Sequence, residues 1–230
     1  MALSAWPAGS DTPEMALFRD RADAGARLAT ALQGFRGPDV LVLGIPRGGV
    51  PVAAIVAHAL GGELDIIVAR KAGAPGNPEL AIGAVTPDGT RDVNDDVVQA
   101  LAVTAAELDD AFTTASREAA ERERRFRGTR PKPKLHGRTV IVVDDGIATG
   151  ATIRAAIRSI RKSRPSRLVI AVPVGAPESC AEIENEVDEL VCLERPSSFR
   201  GVGQFYDSFP QVADEKVQQL LSQTAVAFAS

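Results

Sequence analysis

The densest chemistry in this chain lies in VIVVDDGIATGAT, Val140 to Thr152. Four apolar residues, Val140 to Val143, make a run short enough to be a buried strand, and two adjacent carboxylates, Asp144 and Asp145, end it. Gly146, Ile147, Ala148, Thr149, Gly150, Ala151 and Thr152 then turn the chain into a helix. In open parallel sheets, ligands bind beyond the carboxyl ends of strands. A loop of small residues that opens a helix presents unpaired N–H groups and the positive end of the helix dipole, which together suit a phosphate. Gly150 permits close backbone approach, and Thr149 and Thr152 add hydroxyl donors. Carboxylates beside a phosphate repel it, so the acid pair needs a partner of its own. Ribose hydroxyls donating to the pair, or a divalent cation sharing the site, would supply one. A ribose 5-phosphate carries both a phosphate and a vicinal diol. The bland alternative for the two acids is helix capping or solvation at a strand end.

Other phosphate and nucleophile motifs fail. The chain has no Gly-Lys dipeptide and hence no P-loop; GVGQFY at Gly201 lacks the last glycine of a dinucleotide fingerprint; and there is no Gly-x-Ser-x-Gly elbow.

The elements that must position the segment follow from apolar patterning. Short two-sided apolar runs at Val40–Ile45, Leu64–Ala69, Thr139–Asp145, Leu168–Val174 and Glu189–Glu194 read as strands. Helices are expected over Val50–Leu60, from the phosphate loop to about Lys162, and from about Pro177. An opening helix is expected from Thr12, which caps Pro13, to about Phe35, with Leu17, Phe18, Leu28 and Leu32 on its apolar side. Strands alternating with helices predict an α/β fold, a doubly wound, mainly parallel sheet flanked by helices. The polar stretch 92–130 interrupts the alternation as a helical appendage. In it Asn94 caps a short helix, and Thr104 with Glu107 forms a capping box for a second. Residues 1–11 read as a flexible leader, 12–230 as a single domain, and 195–230 as its C-terminal elements.

At this point the residues resemble a known family. VIVVDDGIATGAT is similar to the phosphoribosyl pyrophosphate signature of type I phosphoribosyltransferases, departing at Gly146, where a larger apolar residue is more usual. The stretch from Leu17 to Asp214 resembles a bacterial group of proposed phosphoribosyltransferases. The resemblance implies the doubly wound core derived above plus a hood. It implies that Ala148, Thr149, Gly150, Ala151 and Thr152 hold the 5-phosphate of 5-phosphoribosyl 1-pyrophosphate (PRPP), with Asp144 and Asp145 on the ribose hydroxyls. GIPRGG, Gly44 to Gly49, falls where the family has its pyrophosphate loop. There Arg47, Gly48 and Gly49 would hold pyrophosphate, often through a non-proline cis peptide. A cation and paired glycines at a strand's carboxyl end read the same way without the family. Arg70 and Lys71 resemble the basic pair beside pyrophosphate and Mg2+. Ala72 to Thr90, rich in Gly and Pro, falls where the family has a mobile loop over the substrate. In Arg195–Phe209, Phe199 would stack on a base and Val202 would offer backbone groups, unless these residues, like Phe205, Tyr206 and Phe209, only pack the hood.

The implied reaction is Mg2+-assisted transfer of phosphoribose to a nitrogenous base, purine-like by the position of Phe199. Mg2+ would be held mainly through the substrate, with Asp144 and Asp145 as candidate protein ligands. The partners are PRPP and a nucleobase or nucleoside monophosphate, and the family implies a homodimer. Two rivals share the fold logic: a non-catalytic PRPP- or nucleotide-sensing regulator, and a hydrolase of ribose phosphates.

Composition is compatible. The 230 residues are 45% hydrophobic and 24% charged, with a net charge of -4, which argues against nucleic acid as the main partner. Cys180 and Cys192 have no metal-type spacing and read as reduced thiols; His58 and His136 are too few for a zinc site or a nucleophile triad. Neither a membrane-spanning run nor a secretory signal is evident, so the expected location is cytoplasmic. Arg117 to Arg138 carries nine Lys/Arg against three Glu. It is either a patch for nucleic acid or membrane, or, since aromatic partners are nearly absent, a solvated helix end and linker.

Overall fold

The computed structural model describes residues 16–227, with side chains as far as residue 223. The leader 1–11 and the helix start expected at Thr12 lie outside that range. Within it, residues 16–20 are not helical, which corrects the expected opening helix. α1 spans Arg21–Ala31 and is capped by Asp20, whose carboxylate accepts from the Ala22 and Asp23 amides at 2.8 Å each. Phe18 instead bridges to Tyr206 and is buried in an aromatic cluster with Phe205.

The chain continues as β1 (Val40–Gly44), α2 (Gly49–Leu60), β2 (Glu63–Ile66), β3 (Arg70–Ala74), β4 (Asn77–Val85) and β5 (Arg91–Val93). Then come α3 (Asp95–Ala100), α4 (Ala105–Arg127), β6 (Thr139–Val143), α5 (Ala151–Lys162), β7 (Arg167–Val174), α6 (Pro177–Glu184), β8 (Glu189–Glu194) and α7 (Asp214–Ala227). The main sheet is parallel throughout, in the order β2-β1-β6-β7-β8. Alternation along each strand divides the core. Val40 and Val42 of β1 face Leu28 of α1 and Val56 of α2, whereas Leu41 and Leu43 face Ile153 and Ile157 of α5. No helix among the described residues is long and apolar enough to cross a membrane.

The segment 72–90 is not the expected loop. β3 and β4 form an antiparallel hairpin, and β5 completes a second, three-stranded sheet. Its Gly and Pro content reflects close packing and a bulge rather than absent structure. A Cβ on Gly73 would lie 2.6 Å from the Pro78 carbonyl, and one on Gly83 would lie 2.7 Å from the Phe112 ring. Both helices expected within 92–130 are present, α3 capped by Asn94 and α4 by the Thr104–Glu107 capping box. α4 lays Phe112 and Ala115 on the second sheet and Ala119 and Phe126 on the main core.

The C-terminal end of α4 is fixed by a buried ion pair. Both oxygens of Asp65 on β2 accept from Arg127 Nη1, at 2.8 and 2.7 Å. Removing one partner strands a buried charge, so Arg127→Ala should lower stability by about 3–5 kcal/mol in urea unfolding. A loss under about 1 kcal/mol would mean that water reaches Asp65.

Candidate functional site

β1 and β6 are neighbours, and the chain leaves them in opposite directions, toward β2 on one side and toward β7 and β8 on the other. That reversal opens a crevice at their carboxyl ends. The loops after these two strands therefore meet. Pro46–Arg47 is a cis peptide, as the resemblance implied. Gly48 lies directly against the Asp145 carboxylate. A Cβ on Gly49 would lie 2.5 Å from the Val143 carbonyl oxygen and 2.8 Å from Asp144 Cα. Only glycine allows the two loops to approach so closely.

After β6, Asp144 and Asp145 are half-buried. Burial raises the Asp144 pKa well above the usual carboxylate range, and the Asp145 charge adds to it. Burial also raises that of Asp145, against the pull of Arg21, which donates from Nε at 2.9 Å. Arg21 in turn stacks on Phe209 at 3.8 Å and donates to the Pro210 carbonyl at 2.7 Å. Tyr206 donates its hydroxyl to the Asp145 carbonyl at 2.7 Å. Arg21 and Tyr206 thus tie the acid pair to the segment after β8.

The cradle itself is built from β7 and α6. Ile147 donates to Val174 O and accepts from the Ala176 amide, both at 2.9 Å, and Ser179 Oγ donates to Ala148 O at 2.6 Å. Gly150 takes the left-handed conformation, φ 71°, at the start of α5 and has no side-chain cap. The amides of Ala148, Thr149 and Gly150 make no hydrogen bond among the described residues. They are followed by the first amides of α5, which by helix geometry have no partner within the helix. Ala148 and Thr149 are exposed, whereas Gly150 is buried. Such a set at a helix mouth is a candidate anion site.

The remaining expected residues are more dispersed. Arg70 and Lys71 open β3. Arg70 pairs with Glu118 of α4 at 2.6 Å, and Lys71 is exposed. Arg47 pairs with Asp214 at the start of α7, at 3.3 Å. Phe199 is half-buried against Phe205, ring centroids 5.1 Å apart. Val202 accounts for the unusual Gly146, because a Cβ at 146 would lie 2.6 Å from Val202 Cγ1 and 3.1 Å from Val174 Cγ1. Val202 therefore occupies the volume that a larger residue at 146 would take. Gly146→Ala should cost about 1–3 kcal/mol in thermal unfolding, and adding Val202→Ala should recover most of it. Independent, additive losses would separate the two residues.

Sequence reading missed Arg21 and Asp214, whose proximity to the site is purely tertiary. A hollow of about 970 Å3 between α1, α2 and α7 is lined by none of the expected site residues.

The parallel sheet, flanked by helices and with its acid pair at the switch point, defines an α/β protein of the doubly wound class. The profile of the phosphoribosyl transferase domain matches residues 19–209, and the chain belongs to that family. It is 45% identical over 215 residues to a Mycobacterium tuberculosis (strain H37Rv) protein named "Putative phosphoribosyl transferase", covering 94% of this chain. The chain spans only 48% of that relative's length. The crystal structure of TT1426 from Thermus thermophilus superposes with a TM-score of 0.75 at 42% identity, covering 90% of this chain and 98% of that one. A segment of 58 residues, 25% of this chain, is 34% identical to uracil phosphoribosyltransferase from Aquifex aeolicus.

Proposed function

We propose that this chain transfers phosphoribose from PRPP to a ring nitrogen of a nitrogenous base and releases pyrophosphate. The observation that carries this reading is the free amide set of Ala148 to Gly150 beside Asp144 and Asp145, facing the Arg47 loop across the crevice. The 5-phosphate binds the amides and the Thr149 and Thr152 hydroxyls. The acid pair accepts from the ribose hydroxyls and fixes the sugar. The C1–O bond to pyrophosphate breaks, and its electron pair leaves with the pyrophosphate. The base nitrogen gives its lone pair to C1 and loses its proton. Positive charge grows on the ribose during this exchange, and the two carboxylates stabilise it. Arg47, Arg70 and Lys71 neutralise the departing anion. Phe199 and Val202, from the segment after β8, contact the base.

Among the described residues no group of three or more His, Cys, Asp or Glu side chains gathers to hold a metal. That suits Mg2+, which takes one or two carboxylates together with substrate phosphates and water. Asp144 and Asp145 are the carboxylates that would reach it, and when bound it offsets charge on the pyrophosphate oxygens.

The test is pyrophosphate release from PRPP with Mg2+ across purines, uracil, other pyrimidines and nicotinate. Release dependent on one base, with a purine as the expected one, supports the reading. Tight PRPP binding without release from any base would make the chain a sensor, and base-independent loss of PRPP would make it a hydrolase.

A further inference from the structure

The basic run from Arg117 to Arg138 is left unexplained by the reaction as described. Several of its members are engaged internally. Arg127 holds Asp65, Arg130 donates to the Leu221 and Leu64 carbonyls, and Arg138 pairs with Glu63 at 2.6 Å. Arg122 and Arg125 differ. With Arg70, Glu118 and Glu121 they line a hollow of about 340 Å3 between α4 and the start of β3. Asp214 pairs with both Arg125 and Arg47, so this hollow adjoins the loop after β1. Arg122 makes no ion pair among the described residues; burial, then the charges of Arg70, Arg47 and Arg125, lowers its pKa. Four guanidinium groups from three parts of the fold thus meet three carboxylates, Glu118, Glu121 and Asp214, which leaves one positive charge in excess and Arg122 without an ion-pair partner among the described residues. Planar guanidinium groups match phosphate oxygens with two parallel donors.

Resting on the phosphoribosyl transfer proposed above, we infer that Arg122 and Arg125 of α4, with Arg47 and Arg70, seat the diphosphate group of the substrate. Asp214 and Glu118 hold the arginines in its absence. The appendage is then part of the substrate site, and the two carboxylates compete with the ligand for the same donors.

Inorganic pyrophosphate and, separately, a nucleoside 5′-monophosphate are titrated calorimetrically into wild type, Arg122→Gln, Arg125→Gln and Glu118→Gln. Each arginine variant should weaken pyrophosphate binding about tenfold or more and leave the monophosphate within about twofold. Glu118→Gln should strengthen pyrophosphate binding severalfold, an outcome that a damaged fold does not produce. Unchanged pyrophosphate affinity in both arginine variants overturns the assignment, while monophosphate binding by wild type leaves the transferase reading standing. If wild type binds neither ligand, both fall together.

Discussion

Replacing Asp144 and Asp145 together by asparagine should lower turnover by about three orders of magnitude or more, since removing one preorganised charge stabiliser alone costs about 10²–10³. The variant nearly keeps the volume of both side chains and loses the negative charge beside the ribose, together with the Arg21–Asp145 ion pair. It should still bind a nucleoside monophosphate through the loop after β6, because the amides there are untouched. Turnover within about tenfold of wild type would remove the acid pair from the reaction.

The single change Asp144→Asn separates catalysis from stability. Burial raises the Asp144 pKa, with the Asp145 charge adding to it. A carboxyl held above its unfolded value favours the protonated folded state. Its contribution is therefore present below the unfolded pKa and is lost as pH rises through the folded one. Above the unfolded value, folding must either bury the charge or take up a proton, each of which costs stability, and a neutral amide removes that cost. Asp144→Asn should unfold about 2–4 °C higher than wild type at pH 7.5, with the gap closing toward pH 4, while activity is lost. A lower unfolding temperature at pH 7.5 would mean that Asp144 is held by attraction instead. Asp145 is less clean for this purpose, since Arg21 would lose its partner.

Gly49→Ala has the second largest expected effect. The obstacles to its Cβ, the Val143 carbonyl at 2.5 Å and Asp144 Cα at 2.8 Å, are backbone atoms and cannot swing aside as a flexible side chain would. Accommodation must push the β1 loop away from the acid pair and misplace Arg47. A displacement of about 1 Å is enough to cost about a hundredfold in turnover. We expect kcat/KM for PRPP to fall at least that far, with a loss of about 1–3 kcal/mol in stability from overpacking. Gly34→Ala, in open space, is the control and should leave both near wild type. Near-normal kinetics in Gly49→Ala would show that the two loops are not held as close as described.

The parallel strands were legible because burial on both faces leaves unbroken apolar runs such as VLVLG and TVIVV. The phosphate loop was legible because small residues and adjacent acids at a strand end have few other uses. The second sheet was not, because its strands are built on Gly73, Gly83 and Pro78, residues that signal loops unless the tight contact they allow is known. The opening helix was misplaced because Thr12–Pro13 imitates a start signal, whereas Asp20 supplies the cap and Phe18 is drawn toward Tyr206. Arg21 lies 124 residues from Asp145, and only the fold brings them to 2.9 Å. The cationic stretch before β6 read as a solvated linker, since charge pattern alone does not separate Arg127, buried on Asp65, from Arg122 and Arg125 at the hollow between α4 and β3.

A crystal structure of the chain with a nucleoside 5′-monophosphate tests the central claim most directly. The account predicts the phosphate on the amides between Ala148 and Thr152, with both ribose hydroxyls donating to Asp144 and Asp145. A nucleotide bound elsewhere at saturation, or a phosphate in the loop with its sugar turned away from the two acids, would contradict it.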